Sequence, residues 1–218
     1  NSFLINLDNT YKVKKYNFTS KGIIIKSNLD FKKPLKNNFL NDEINQLTLI
    51  NSEIETNLSF KKNTTSISGK YLLNGEDPLL FNLENIIDKD LLKIKLNTEY
   101  KKPLELEIIN YKKPSKTIAN LFLNLEKQKN KIKINEMNLI EGNNLISIKG
   151  LKLNKEKFLS FNKISVKTYE ADKINNDFNI LYGKKILVQG THFDASNLPK
   201  LLKQKSKQNI LSSINKEI

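Results

Sequence analysis

The chain has 218 residues, of which 28% are charged and 38% are hydrophobic, and its formal net charge is +14. It contains no cysteine and one histidine, His192, so disulfides, thiolate metal sites and cysteine nucleophiles are excluded. No apolar run approaches the ~20 residues of a bilayer-spanning helix. The chain begins at Asn1 without a signal-peptide pattern, and we expect any anchor or export signal to lie outside it.

All basic residues are lysines, and arginine is absent. Arginine is the usual bidentate ligand of phosphate and guanine, and the lysines are spread along the chain with no obvious stripe. We therefore expect no nucleic-acid binding. The same charge is compatible with weak attraction to anionic lipid headgroups, at roughly 1 kcal/mol per suitably placed lysine.

The first 75 residues contain several short stretches with strand character. These candidates are Tyr11–Phe18, Gly22–Phe31, Leu47–Ile50, Ile54–Phe60 and Thr65–Leu73. Residues 32–43, which include Pro34, are predicted to be a loop with at most one helical turn. Residues 79–90 fit either a strand or a short helix.

From residue 90 to about 170, apolar and polar residues alternate with a period of two. Successive side chains of a strand point to opposite faces, so each segment is predicted to be a strand with one apolar and one polar face. Turn residues separate the segments, as in Lys101-Lys102-Pro103 and Glu141-Gly142-Asn143-Asn144. Nothing between the strands is long enough for a crossover helix, which favours an antiparallel meander over parallel βαβ units.

The apolar positions of these strands are predicted to share one face. They are Leu92, Ile94, Leu96, Leu104, Leu106, Ile108, Leu121, Leu123, Leu125, Ile132, Ile134, Ile146 and Ile148. The pattern alone fits two structures, the closed core of a β-sandwich and the lining of an open groove. A groove could carry lipid without a catalytic residue, because an acyl chain gains roughly 0.8 kcal/mol per methylene on leaving water for an apolar surface.

The C-terminal segment has helical features. Asp194-Ala195-Ser196 is predicted to cap a short helix that includes Leu198, Leu201 and Leu202. Further on, Ile210, Leu211 and Ile214 also have helical spacing. No glycine- or serine-rich linker and no exact repeat interrupts the chain, so residues 1–218 are predicted to form a single β-rich domain.

Two sets of polar residues could carry chemistry. His192 and Asp194 could act as a general acid and base, but no nucleophile motif accompanies them, and we interpret them as a strand end followed by a helix cap. Glu105 and Glu107 lie two apart and could serve glycoside hydrolysis. They alternate with leucine, and we interpret them as the solvated face of a strand. We predict no catalytic residue, no metal site and no cofactor.

Several segments resemble the large AsmA-like envelope proteins. Residues 104–125 contain an aromatic-Lys-Pro turn between two strands, at Tyr111 to Pro114, that is similar to a segment of that family. Residues 143–150 and 158–169 resemble its strand pairs, and residues 188–198 resemble its ending before a short helix. The resemblance is strongest over residues 90–203, and the branch that it fits best is the YhdP-like one with a DUF3971-type domain.

The resemblance implies a periplasmic protein that an N-terminal helix, not present in this sequence, anchors in the inner membrane. It also implies a long curved β-sheet with an apolar groove, and a role in phospholipid movement to the outer membrane and in envelope integrity. The partners would be phospholipid acyl chains and, through regions outside this chain, the two membranes.

We therefore predict an all-β fold, in which an antiparallel meander forms a twisted, partly wrapped sheet with an open groove and a short C-terminal helix. The predicted function is a non-enzymatic segment of a lipid conduit. The alternatives are a secreted or surface β-sandwich that binds glycan or protein, and an enzyme that acts on polysaccharides through acidic residues.

Overall fold

The computed structural model describes residues 1–36, 43–155 and 157–203. Besides the strands, it contains a 3₁₀ turn at Glu107–Ile109 and the short helix α1 at Leu198–Lys203. No helix in the described ranges is long and apolar enough to cross a bilayer. The strands are β1 Ser2–Leu7, β2 Val13–Leu35, β3 Ile44–Ser59, β4 Lys62–Leu73, β5 Leu79–Asp88, β6 Leu91–Tyr100, β7 Leu104–Leu106, β8 Tyr111–Lys113, β9 Ala119–Gln128, β10 Lys131–Glu141, β11 Asn144–Asn154, β12 Lys157–Ser160, β13 Lys163–Glu170, β14 Lys173–Tyr182 and β15 Ile186–His192.

Thirteen strands form one antiparallel sheet, which we call the main sheet. Its order is β1-β2-β3-β4-β5-β6-β9-β10-β11-β13-β14-β15, and β12 pairs with β11 beside β13. The path is open, because β1 and β15 each pair with a single neighbour. The predicted fold class, an all-β antiparallel meander with an open sheet and a short C-terminal helix, is confirmed.

The N-terminal strands are longer than the sequence predicted. The candidates at 47–50 and 54–60 belong to one strand, β3, which a bulge interrupts between Ile50 and Glu53. Asn51 sits in that bulge with a φ of 45°, the left-handed region that asparagine tolerates better than most residues. The strand β1 was not predicted, and residues 79–90, which fitted a strand or a helix, form the strand β5.

The predicted loop at 32–43 was wrong at its start. Strand β2 continues to Leu35, and its pairing with β3 passes from Asp30↔Gln46 to Leu35↔Ile44. Pro34 therefore lies in a bulged part of the strand. Proline is tolerated there because it has no backbone N–H to donate to the neighbouring strand. Residues 37–42 lie outside the described residues.

Residues 101–118 leave the main sheet between β6 and β9. The strands β7 and β8 pair only with each other, and the 3₁₀ turn connects them. The alternation had predicted a strand through Ile108, but the strand ends at Leu106 and Ile108 lies in the turn, 45% exposed. Asn110 reverses the chain with a φ of 46°. We call residues 104–113 the hairpin.

The buried core lies where the hairpin packs on the main sheet. Ile109 and Tyr111 of the hairpin form a cluster with Ala119, Leu139, Val166 and Phe178 of the sheet. Asn176, which is fully buried, donates a hydrogen bond to the Ile109 carbonyl at 2.8 Å. This polar contact fixes the position of the hairpin on strand β14.

The predicted short helix is present as α1. The Asp194 carboxylate accepts a hydrogen bond from the Ser196 backbone N–H at 2.9 Å, two residues before α1 begins, so this bond forms a turn ahead of the helix and does not cap it. The predicted helical segment with Ile210, Leu211 and Ile214 lies outside the described residues.

Candidate functional site

One face of the main sheet carries an unbroken row of apolar side chains that runs across ten strands. Each residue of this row lies directly opposite the next on the neighbouring strand, so all ten point to the same face. With a strand spacing of about 4.8 Å, the nine steps cover roughly 43 Å. The apolar row consists of Ile54, Ile67, Leu83, Leu96, Leu123, Met137, Ile148, Ile164, Ile180 and Val188.

Further apolar side chains flank the row on the same face. The registers place Ile94, Leu125 and Ile134 on one side of it, and Leu121, Leu139, Ile146, Val166 and Phe178 on the other. We call the apolar row and these flanking residues the apolar face. The opposite face of the sheet carries the polar partners, such as Lys95 beside Asn124.

Ten of the thirteen residues predicted to line a groove lie on the apolar side of the main sheet. Leu96, Leu123 and Ile148 belong to the apolar row itself, and Leu92 and Ile132 lie on the same side near one end of the strands. Leu104, Leu106 and Ile108 lie in the separate hairpin. Leu104 and Leu106 pack against the core cluster from there, while Ile108 points away from it into solvent.

Most of the apolar face is half-buried, because neighbouring strands shield its side chains only from the sides. Leu96, Leu123 and Ile148 have intermediate exposure, and Val188 at the end of the row is 56% exposed. Only eleven apolar side chains of the described residues are buried. A sandwich would bury the facing side chains of two sheets, so the described strands support the open-groove alternative over the sandwich.

The hairpin covers the apolar face at one end of its strands. Ile109 and Tyr111 lie over Ala119 and Leu139 near the ends of β9 and β10, and over Val166 and Phe178 in the middle of β13 and β14. The Tyr111 hydroxyl lies 3.3 Å from a carboxylate oxygen of Glu141. Burial, with this neighbouring carboxylate, raises the pKa of Tyr111 well above its ordinary value, so the phenol stays neutral.

The opposite end of the strands is open and rich in lysine. In an antiparallel meander, every second turn lies at the same edge of the sheet, so the turns after β1, β3, β5, β9, β11 and β14 meet there. We call the basic residues of these turns and of the adjoining strand ends the lysine rim. They are Lys12, Lys14, Lys15, Lys61, Lys62, Lys89, Lys127, Lys129, Lys131, Lys155, Lys157, Lys163, Lys184 and Lys185.

Sequence reasoning missed the lysine rim, because the lysines looked evenly spread along the chain. Their position in every second turn was the signal that could have revealed it. All of them except Lys163 are exposed, and none forms an ion pair within the described part of the chain. Asp8, Asp88, Asp90 and Glu126 are the carboxylates described at this edge, and Glu126 pairs with Lys93 at 3.3 Å.

The other edge, where the hairpin lies, has a different charge. Its turns contain Glu76, Asp77, Glu141, Glu170 and Asp172. Lysines are present there too, and three of them pair with carboxylates, whereas Lys116 and Lys173 are exposed. Lys102 pairs with Glu76 at 2.6 Å, Lys101 pairs with Asp77, and Lys112 pairs with Glu105 at 2.9 Å. The two edges of the apolar face therefore differ in charge. Within the described residues, the lysine rim is basic and its lysines form no ion pair, whereas the other edge carries both signs and several of its lysines are paired.

The polar residues considered for catalysis form neither of the two pairs that the sequence suggested. The His192 ring lies 3.0 Å from the Thr191 hydroxyl, whereas Asp194 accepts hydrogen bonds from Ser196 and Asn110. These hydrogen bonds, from Ser196 first, lower the pKa of Asp194 to about 2. Glu105 and Glu107 do not share one strand, because Glu107 lies in the 3₁₀ turn.

Comparisons of the chain with protein-family models, with curated proteins and with solved structures gave no match. The features of the structure that bear on function are therefore the apolar face, the hairpin and the lysine rim.

Proposed function

We propose that the chain is a non-enzymatic segment of a lipid conduit, in which phospholipid acyl chains bind on the apolar face and move along the apolar row. The observation that carries the proposal is the row itself, with ten apolar residues in register from Ile54 to Val188. A contiguous apolar surface of this extent on a soluble protein typically marks a binding site.

The energetics of lipid movement fit such a surface. Each methylene that leaves water gains roughly 0.8 kcal/mol, so a palmitoyl chain needs roughly 12 kcal/mol to cross water unprotected. A continuous apolar face lowers that barrier without making or breaking a bond. The proposed function therefore needs shape and hydrophobicity from these residues, and no catalytic group.

We further propose that the chain belongs to the AsmA-like envelope proteins, in the YhdP-like branch. Phospholipid would then move through the periplasm between inner and outer membrane, along a protein that a segment outside this sequence anchors. The sequence resemblance over residues 90–203 supports this proposal, and so does the open antiparallel sheet that such a conduit requires.

A charged residue in the middle of the apolar row tests the lipid-binding function. Leu123 faces Leu96 and Met137 in the row, so a glutamate there would have to desolvate its carboxylate against a bound acyl chain. We expect Leu123→Glu to reduce bound phosphatidylcholine at least tenfold, measured by mass spectrometry of lipid that copurifies after incubation with vesicles.

The matched control is Asn124→Glu, which adds the same charge to the polar face of the same strand and should leave lipid binding unchanged. Circular dichroism checks that both variants keep their β-structure, and Leu123→Ser provides a milder change if the glutamate prevents folding. Lipid binding that is equal in the wild type, Leu123→Glu and Leu123→Ser would contradict the proposal.

A further inference from the structure

We propose that the apolar face binds anionic phospholipids in one orientation, with the headgroup phosphate at the lysine rim and the acyl chains running along the strands toward the hairpin. This inference rests on the proposed function, since it assumes that acyl chains occupy the apolar face. It adds a class of headgroup and a direction, both of which follow from the difference between the two edges of the sheet.

The dimensions along the strands suit one acyl chain. On β9 the side chains that point to the apolar side are Lys127 at the rim, then Leu125, Leu123 and Leu121, and finally Ala119 under the hairpin. From Lys127 to Leu121 the strand extends roughly 20 Å. One bilayer leaflet has a hydrocarbon depth of about 15 Å, so a chain whose headgroup lies at Lys127 ends before it reaches the hairpin.

The charges of the two edges favour one of the two possible orientations. At the hairpin edge, Glu76, Asp77 and Glu105 hold their neighbouring lysines in ion pairs. Glu141, which is in contact with the buried Tyr111, adds a carboxylate beside the hairpin. A phosphate at that edge would meet carboxylates, whereas at the lysine rim it meets ammonium groups that form no ion pair with the residues that the structure describes.

A cluster of three rim lysines is the best place to test the inference. Lys127 lies opposite Leu92 and Ile132, so it points to the apolar side, and Lys89 and Lys129 lie in the turns that follow β5 and β9 beside it. The three lysines therefore come from neighbouring strand ends at the open end of the apolar face. Lys131 and Lys157, by contrast, share the opposite face with Gln128 and Asn154. Each lysine near an anionic lipid surface contributes about fivefold to binding.

The experiment incubates the full chain with vesicles of equal phosphatidylglycerol and phosphatidylcholine content and quantifies both lipids on the reisolated protein. We expect the wild type to prefer phosphatidylglycerol at least tenfold at low ionic strength. In the variant Lys89→Gln/Lys127→Gln/Lys129→Gln the preference should fall to less than threefold, with phosphatidylcholine binding unchanged. Raising the salt to 0.15 M should weaken the wild-type preference, because the Debye length falls to about 8 Å.

The matched control removes three exposed lysines elsewhere, in Lys70→Gln/Lys167→Gln/Lys173→Gln, and should keep the preference. Equal loss in the control would mean that net charge, and not the rim, selects the lipid. Equal uptake of both lipids by the wild type would overturn the inference and leave the proposed function standing, whereas no uptake of either lipid would overturn both.

Two further arms test other ligands of the same lysines. If inorganic phosphate removes the preference while chloride at equal ionic strength does not, the rim is a site for the free anion. If a DNA duplex binds the wild type and not the rim variant, and displaces no lipid, the rim serves nucleic acid. Either result would overturn the lipid orientation proposed here.

Discussion

At the scale of single residues, Lys113 has the largest of the fully buried side chains in the described part of the chain. It is 1% exposed, and its ammonium lies within hydrogen-bonding distance of four backbone carbonyls, those of Lys101, Lys102, Pro114 and Thr117, at 2.6–3.1 Å. Its Nζ also lies 5.7 Å from the centroid of the Tyr100 ring. Burial lowers the pKa of Lys113, but the carbonyls stabilise its charge and tie both ends of the hairpin to the end of β6.

Replacing this lysine should therefore loosen the hairpin. Lys113→Met removes the donor that four carbonyls share, and we expect the free energy of unfolding to fall by about 1–3 kcal/mol in urea titrations. Lys112→Met is the control, because the neighbouring side chain is 66% exposed and forms only a surface ion pair. It should change stability by less than about 0.5 kcal/mol. Similar losses in the two variants would contradict this role for Lys113.

At the scale of elements, the hairpin supplies most of the close packing between layers. Ile109 and Tyr111 are buried against four residues of the main sheet, and the Asn110 side chain donates a hydrogen bond to Asp194 at 2.7 Å. The hairpin thus links β9, β10, β13 and β14 with the segment that precedes α1. It gives the meander a tertiary anchor that strand pairing alone does not provide.

Truncation of the hairpin contact tests this anchoring. We expect Ile109→Ala to lower the free energy of unfolding by about 2–5 kcal/mol, because it removes buried methyl groups and leaves a cavity over Phe178. Ile108→Ala alters the adjacent, exposed isoleucine and should cost less than about 1 kcal/mol. The measurement is the urea midpoint of unfolding of each variant relative to the wild type. If the hairpin does not pack on the sheet, both midpoints should fall by the same small amount.

At the scale of the whole molecule, the open sheet buries little apolar surface for its length. Unfolding raises the heat capacity in proportion to the apolar area that becomes exposed. An average globular protein of 218 residues would have a heat-capacity change of about 2.6–3.3 kcal/mol/K. The apolar face, which is already half-exposed in the folded state, should contribute less than a closed core.

Differential scanning calorimetry of the lipid-free chain should therefore give a heat-capacity change of unfolding below about 2.6 kcal/mol/K. Bound lipid should raise this value and also the melting temperature, because it covers the apolar face only in the folded state. A lipid-free value within or above the globular range would mean that another part of the protein covers the face.

The sequence predicted the meander well because alternation and turn residues are local signals. It placed strands such as β9 and β10 and the facing of Leu123 correctly, since a period of two leaves a single choice of face. It failed at bulges, as at Asn51, where one residue changes the register without changing composition. It also failed at the hairpin, where Leu104-Glu105-Leu106 alternates like its neighbours but pairs elsewhere.

The candidate site was predictable only in part, for a related reason. The amino-acid sequence shows which residues are apolar and how they are spaced within one strand. The alignment of ten strands into one row depends on registers that each turn sets separately. The lysine rim depends on the same topology, because only the alternation of turns between two edges brings Lys127 and Lys184 to one side.

The regular spacing of the apolar row bears on the mobility of anything that lies across it. Adjacent strands present leucine, isoleucine or methionine at nearly equal intervals of about 4.8 Å, so a ligand shifted by one strand meets almost the same surroundings. The binding free energy of such a ligand would vary only slightly and periodically with its position along the sheet, without a deep minimum at any strand. Such a profile favours a one-dimensional random walk over long residence at any one strand.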